Sequence, residues 1–476
     1  MKRKVIVLAG MAFGDEGKGS FTDFFTDKEK SKILVKYSGG SQAGHTVVLE
    51  DGVSYKFSQL SSGMFEENAE TYITENVVIN LDGLICEVNE FARVNNSCSR
   101  NILERLHIHE SCIVVTPYHK LINHLNECMG GGKRRGSVGT GVSEARFLSD
   151  NFDISIRFGE LITSNRRSHS FKKLFDYTKK LYSNITPNMR KALPDNVIEM
   201  LDKEAKELLN EKALNVIARR EYNHAIALYA CMFRDYDDIT SKSENIVFEG
   251  SQGILIDKDY GLKPNTTLCD TTNFFPKYMF KDEEVTYYGV IKSFYSRHGK
   301  GILPTESNSL RNHVVEIMPQ MLTNENISFG WFDLVLFRYA CKISSLDKVL
   351  MSGLDILSGL KTLKICTCYE YRGAVDDIFE EIFEYKVVKG KIRIMDIKHI
   401  KDSRVSSYLK KCVPVYKYFE GWDENITKVK SFSKLPGTCK RYVKYIEKMS
   451  KTKLEYVSVG ASRVSKIKVH EFVKAK

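Results

Sequence analysis

Phe13-Gly14-Asp15-Glu16-Gly17-Lys18-Gly19-Ser20 follows the apolar run Val5-Ile6-Val7-Leu8 and precedes an amphipathic stretch from Phe21 to Phe25. Strand, glycine turn and helix in that order predict a βα unit. At such a turn consecutive backbone N–H groups converge on the start of a helix, where they and a lysine can hold a phosphate. The octet departs from a standard P-loop, because Lys18 is followed by Gly19 before Ser20 and the four-residue spacer between glycines is missing. Alone, it fits either a nucleotide site or an ordinary βα turn with a solvated lysine. Asp15 favours the first, since an acid inside a phosphate-cradling turn repels the ligand unless it holds a metal or moves a proton.

The chain has 476 residues, 42% of them hydrophobic, enough for one large domain or two to three average ones. No apolar run approaches the length of a membrane span, and Met1-Lys2-Arg3-Lys4 leads into a strand too short for a signal segment, so a soluble, cytoplasmic protein is expected. The eleven cysteines contain no CxxC pair, the nearest spacing being Cys366-Thr367-Cys368; reduced thiols are the simpler reading. The net charge of +11 is spread through mixed-charge stretches such as Lys172 to Lys180 and Lys440 to Lys453, without a basic-aromatic repeat. Small anionic substrates or a solvated lysine-rich surface explain it, and no nucleic acid is expected.

Strand-like runs recur at Val5–Leu8, Ile33–Lys36, Thr46–Leu49, Val77–Ile79, Ile246–Phe248, Val285–Ile291, Val349–Leu350, Leu363–Cys366 and Tyr456–Val459. Separated by helical patterns, they predict an α/β sheet with crossovers. Between about Lys172 and Arg234 the pattern is helical throughout, and a helical subdomain over about 165–235 is expected within a single catalytic domain spanning 1–476. The basic, glycine-rich segment Gly130 to Gly141 fits a mobile loop closing on an anion as well as a plain surface loop.

Four segments together resemble the adenylosuccinate synthetase family: Gly14-Asp15-Glu16-Gly17-Lys18-Gly19; Gly39-Gly40-Ser41-Gln42-Ala43-Gly44-His45-Thr46; Phe248-Glu249-Gly250-Ser251-Gln252-Gly253 with Asp257; and Tyr295-Ser296-Arg297-His298-Gly299-Lys300-Gly301 leading to Pro304-Thr305-Glu306. Gly330-Trp331-Phe332-Asp333, Leu354-Asp355-Ile356-Leu357, Gly421-Trp422 and Gly460-Ala461-Ser462-Arg463 extend the likeness in family order to the C-terminus. The resemblance implies a large α/β fold with a central, mostly parallel sheet flanked by helices, with helical subdomains, working as a homodimer. It implies a ligase that joins the amine of aspartate to C6 of IMP, with GTP as phosphoryl donor and Mg2+ present.

By the same resemblance Asp15 is the base that removes the purine N1 proton and also touches the metal, with the Gly44 carbonyl as a second ligand. His45 stabilises the migrating phosphoryl group, Lys18 holds the donor phosphates, and Gln252 reads the purine O6. Gly14, Glu16, Gly17, Gly19, Ser20, Gln42 and Arg463 fall on nucleotide-binding positions. Thr267 matches a hydroxyl on the 5′-phosphate, and Asp355 a carboxylate that takes two guanine N–H donors.

The departures from the family cluster at its amino-acid pocket. A threonine-rich loop followed by arginines is replaced by Met321-Leu322-Thr323-Asn324-Glu325-Asn326-Ile327-Ser328, with no arginine, although two carboxylates need matching positive charge. The family's Thr-Thr-Gly-Arg-Gly reads Ser137-Val138-Gly139-Thr140-Gly141, so another arginine is missing and Val138 occupies a phosphate-hydroxyl position. Gln42 stands for an asparagine and Gly353 for a lysine near the guanine. The expectation is retained activation chemistry on IMP or a relative such as dGMP, with GTP or ATP. The amine is aspartate by default, or a different one; a non-catalytic nucleotide binder is the remaining alternative.

Overall fold

Strand Val5–Gly10 is buried at every position, as only a central strand covered on both faces can be. In the computed structural model, which describes residues 3–129, 139–280, 283–319, 327–400 and 403–470, it lies inside a ten-stranded sheet. Ile246–Glu249 and Val285–Lys292 flank it, both parallel, with Val5 opposite Ile246 and Val285. Beyond Ile246–Glu249 follow Ile33–Lys36, Glu70–Ile73, Leu106–His109 and Met232–Phe233, all parallel. Beyond Val285–Lys292 follow Lys348–Ser352, Leu454–Ser458 and the antiparallel edge Lys466–Lys468. Alternate residues serve opposite faces. Ile6 and Leu8 pack into one core with Phe21, Phe25, Leu34 and Val247, whereas Val5 and Val7 pack into another with Ile33, Val35 and Phe248.

The chain runs outward from Ile33, returns at Ile246 to fill the gap beside Val5–Gly10, and only then builds the other half of the sheet. The winding therefore reverses beside Val5–Gly10, and a crevice opens at the carboxyl ends of the strands there. The loops after Gly10, Glu249 and Lys292 meet in it. Helices Ser164–Ser183, Asp195–Leu208 and Glu211–Ala227 occupy most of the stretch read as helical. Its last residues, Met232–Phe233, are instead the outer strand of the sheet. No helix of the described residues is long and apolar enough to cross a membrane.

Three of the expected strands lie outside the main sheet. Of Val77–Ile79, residues Val78–Ile79 pair with Ile113–Val114 in a two-stranded ribbon. His45–Val48 pairs with Ser54–Phe57 in a hairpin and touches Ser462 through a single bridge at Val48. Leu363–Cys366 belongs to Thr362–Tyr371, inside a separate sheet with Phe332–Asp333, Phe383–Val388, Lys391–Ile397 and Cys412–Glu420. Conversely, Glu70–Ile73 and Leu106–His109 carry polar residues that interrupt an apolar run. Glu70 and His107 are tolerated in the sheet because Glu70 accepts from Tyr72 OH at 2.9 Å, Lys242 Nζ at 2.9 Å and His107 Nε2 at 3.1 Å.

Candidate active site

The turn after Val5–Gly10 leads into helix Lys18–Glu29, whose first turn has no side-chain cap and starts from Gly17 at φ 88°. Its N–H groups are therefore open to an anion. Glu16, 1% exposed, braces this turn. Its Oε1 accepts from the N–H groups of Ala12 at 3.0 Å and Gly14 at 2.9 Å, while Oε2 pairs with the buried Lys18 ammonium. Space here is tight: a Cβ on Gly10 would lie 2.3 Å from the Gln252 carbonyl, and one on Gly253 would lie 2.4 Å from the Ala12 carbonyl. Asp15 (φ 66°) and Gln252 (φ 61°) both hold left-handed backbone without being glycine, a strain kept where a side chain must be aimed.

Opposite the turn stands His45. Its Nδ1 donates to Glu249, which is wholly buried and also accepts from Ser61 Oγ at 2.7 Å, Ser62 N at 2.9 Å and Ser62 Oγ at 2.6 Å. Lys36 Nζ, 1% exposed, lies 3.9 Å from the same carboxylate. Burial alone would raise Glu249, but Lys36 and His45 reverse that and hold it well below the usual carboxylate range. Burial pulls the His45 imidazole below its ordinary value, against the influence of Glu249. This tether fixes the ring, leaving Nε2 for another partner. The ring packs on the start of the helix so closely that a Cβ on Gly19 would come within 2.5 Å of His45 Cβ.

The third wall is the end of strand Val285–Lys292. Lys292 Nζ donates to Asp15 Oδ2 at 2.9 Å and His298 Nε2 lies 3.7 Å from that oxygen. The Asp15 side chain is 34% exposed at the mouth of the crevice. The surrounding loops still desolvate it, which acts to raise its pKa; Lys292 and His298 more than offset this and hold it well below the usual range. Gln42 Oε1, Ser251 Oγ and Gln252 Oε1 are buried without a hydrogen-bond partner among the described residues. Orphaned polar atoms such as these, in the loops that follow Lys36 and Glu249, are what a polar ligand leaves to be filled.

Further residues singled out in the sequence take these places. The Thr267 hydroxyl accepts from Cys269 N at 3.2 Å, in a loop braced by Asp257, which accepts from the N–H groups of Asp259, Tyr260 and Thr271. Ser352 Oγ donates to the Glu16 carbonyl at 2.7 Å, tying strand Lys348–Ser352 to the turn. Asp355 follows that strand, after Gly353 at φ 73°, and burial raises its pKa. Lys466, drawn down to about 8 by burial, donates to Ser20 Oγ and, at 2.7 Å, to the Ser462 carbonyl. Arg463 forks onto Asp23 at 2.6 and 2.7 Å and reaches Glu66 at 3.1 Å. Its guanidinium is thus engaged with helix Lys18–Glu29. Gly44 backs onto Lys56, whose Cε would meet a Cβ there at 2.3 Å. Val138, the basic run Lys133-Arg134-Arg135 and Met321 to Asn326 lie outside the described residues.

A family model for adenylosuccinate synthetase matches residues 7–467. The chain belongs to that family. Adenylosuccinate synthetases of Halothermothrix orenii and Clostridium novyi are 29% and 30% identical to it, each over 98% of this chain and 99% of the relative. A fully ligated adenylosuccinate synthetase from Plasmodium falciparum superposes with TM-score 0.78 at 24% identity, over 98% of this chain and 99% of its own. The succinoaminodeoxyadenylate synthetase of cyanophage S-2L, solved with dGMP and with dATP as energy donor, gives 0.57 at 14%, over 99% and 97%. As a member of the adenylosuccinate synthetase family, the chain is a carbon–nitrogen ligase acting on purine nucleotides. The large, mostly parallel sheet is the fold expected from the sequence.

Within this synthetase crevice, reading the motifs alone passes over Glu249, Lys36, Ser61, Ser62, Lys292 and His298 as site residues. The sequence does carry a signal for three of them. Lys36, Glu249 and Lys292 are each the last residue of an apolar strand, and a charge closing a buried strand at the carboxyl edge of such a sheet points into the crevice.

Proposed function

We propose that the chain transfers the γ-phosphoryl group of GTP or ATP to the 6-oxo group of a purine nucleotide, IMP or a relative such as dGMP, and then displaces phosphate with an amine, L-aspartate by default. The observation that carries this reading is the tethered His45–Glu249 pair facing an uncapped helix start beside the orphaned Gln252 and the ionised Asp15.

In this reading the turn amides and Lys18 hold the donor phosphates. Asp15 takes the proton from purine N1, and the electron pair released through the ring to O6 attacks the γ-phosphorus. The bond to the β,γ-bridging oxygen breaks, releasing nucleoside diphosphate. Because Lys292 and His298 keep Asp15 a weak base, proton transfer is favourable only as charge passes from O6 to phosphorus, so the two events are coupled. His45 Nε2 meets the migrating phosphoryl group, with Glu249 stabilising the imidazolium. The amine then attacks C6 and phosphate leaves. Gln252 reads O6, Thr267 holds the 5′-phosphate and Asp355 takes guanine N–H donors. The available donors, a carboxylate at Asp15 and a carbonyl at Gly44, suit a hard ion that draws its other ligands from phosphates and water, and the described residues hold no group of three His, Cys, Asp or Glu side chains for a softer one. Mg2+ held there would neutralise charge on the donor phosphates.

The second reading keeps the activation and changes the amine; the absence of any arginine from 321 to 328 favours it. We also propose one catalytic domain over 1–476, with its helical subdomain at about 165–235, acting as a cytoplasmic homodimer. Mass spectrometry of reactions with magnesium, GTP or ATP, each of IMP, GMP and their deoxy forms, and a panel of amino acids tests the chemistry. A succinylated purine only with aspartate supports the first reading, and a product with another amine the second. Phosphate release equal in wild type and Asp15→Ala refutes both and leaves a nucleotide-binding homologue.

A further inference from the structure

Arg297 is 2% exposed, yet no carboxylate among the described residues pairs with it; burial alone acts on its guanidinium, drawing it down to about 10, so it stays charged at neutral pH. A buried ion without a counter-charge is unfavourable unless its geometry is used. Here Nη1 donates to the Ile302 carbonyl at 2.7 Å, Nη2 donates to the Asn265 carbonyl at 2.8 Å, and the guanidinium lies 4.5 Å from the centre of the Phe13 ring. Nε has no partner. Gly301, at φ 136°, makes room: a Cβ there would lie 2.0 Å from Nη2. One planar fork therefore joins three segments of the crevice. Phe13 opens the phosphate turn, Asn265 stands two residues before Thr267, and Ile302 precedes Thr305, whose hydroxyl donates to the Trp331 carbonyl at 2.7 Å.

We infer that Arg297 is a positioning residue that sets the spacing between the phosphate turn and the Thr267 loop, so that a purine nucleotide engages both at once. The inference rests on the proposed purine-nucleotide reading of the crevice. It separates two substrates. The donor phosphates depend on turn amides braced by Glu16, which Arg297 does not touch, whereas the purine nucleotide spans the two segments it joins.

Arg297→Lys keeps the charge and loses the two-carbonyl fork; Arg297→Met keeps the stem and loses both. For Arg297→Lys the expected result is a KM for the purine nucleotide raised tenfold or more and kcat lowered tenfold or more, with the KM for the triphosphate within twofold of wild type. Arg297→Met shifts the same parameters further, and should it not fold, Arg297→Lys decides. Wild-type kinetics in Arg297→Lys, equal shifts in both KM values, or a loss confined to melting temperature and active fraction overturn the inference, because a mere structural clip gives those results. If wild type forms no ligated product, the functional reading fails instead. Calorimetry with IMP and dGMP then decides for Arg297, with tenfold weaker binding by the lysine variant upholding it and equal binding overturning it.

Discussion

Replacing Glu249 by glutamine separates what that carboxylate does for the fold from what it does for His45. Glu249 is wholly buried and makes four hydrogen bonds, to His45 Nδ1, Ser61 Oγ, Ser62 N and Ser62 Oγ. The Ser62 N–H can only donate, so the glutamine oxygen must take the Oε2 position and its NH2 must face His45. The Ser62 hydroxyl can turn to accept. His45 must move its proton from Nδ1 to Nε2 and loses the anion that would stabilise it as a cation. Meanwhile Lys36, 1% exposed and 3.9 Å away, loses the Glu249 carboxylate and is left with the Ser58 and Leu60 carbonyls, to which its Nζ donates at 3.0 and 3.4 Å. Breaking a buried ion pair in this way costs about 3–5 kcal/mol, and losing a charge-stabilising donor in the transition state costs roughly 10²–10³-fold in kcat. Thermal and chemical unfolding read the first effect and phosphate release the second. The double variant Lys36→Met/Glu249→Gln should recover most of the stability and none of the rate. A single variant within about 0.5 kcal/mol of wild type and at full rate would refute the tether and the charge argument together.

Asp15→Asn should slow phosphate release by roughly 10²–10⁴-fold, the usual worth of a positioned base. It should leave the melting temperature nearly unchanged, because its pairing with Lys292 at the crevice mouth is worth at most about 1 kcal/mol; a large drop in stability would show that Asp15 is structural. Gly19→Ala should destabilise by about 1–3 kcal/mol through overpacking and lower the rate by displacing His45, whose Cβ would be 2.5 Å from the new methyl; wild-type rate and stability would contradict the packing. Asp333 caps helix Leu334–Ser344 and accepts from Tyr369 OH at 2.6 Å, and burial raises its pKa to about 6. Its contribution to stability is therefore fully present below the unfolded-state value near 3.9 and is lost as pH rises through about 6. Asp333→Asn should gain about 2 kcal/mol relative to wild type between pH 4 and pH 7, at roughly 1.4 kcal/mol for each tenfold change in proton affinity, measured by denaturation midpoints; a pH-independent difference would refute the raised pKa.

The sequence displays the centre of the fold because the central strands are apolar up to the charge that closes them. Val5–Gly10 and Ile246–Glu249 are buried along their whole length and stand out as apolar runs. The outer strands Glu70–Ile73 and Leu106–His109 are hidden by Glu70 and His107, whose place in a sheet is made possible by Tyr72 and by Lys242, a residue far along the chain. The same distinction governs the crevice. Gly14, Asp15, Gly17 and Lys18 belong to one local turn and can be read from its spacing, whereas His45 stands out through the resemblance. Glu249 acquires meaning only beside Ser61, Ser62 and Lys36, and Lys292 only beside Asp15, through strand adjacencies that no local pattern encodes.

That difference bears on how the chain could change its amine while keeping its activation chemistry. The turn, the His45 tether and the Asp15–Lys292 pair are anchored to the ends of three adjacent central strands, Val5–Gly10, Ile246–Glu249 and Val285–Lys292. Substituting Glu16, Lys18 or Glu249 there disturbs a buried pairing. The arginine-poor segment 321–328 instead runs into a short strand, Ile327–Gly330, that pairs with Tyr295–His298 in a two-stranded ribbon and meets Glu306 in a single bridge at Gly330, outside the main sheet. On the proposed reading, this difference in support accounts for an intact phosphate turn beside a segment from which the charges that match an amino acid's carboxylates are missing.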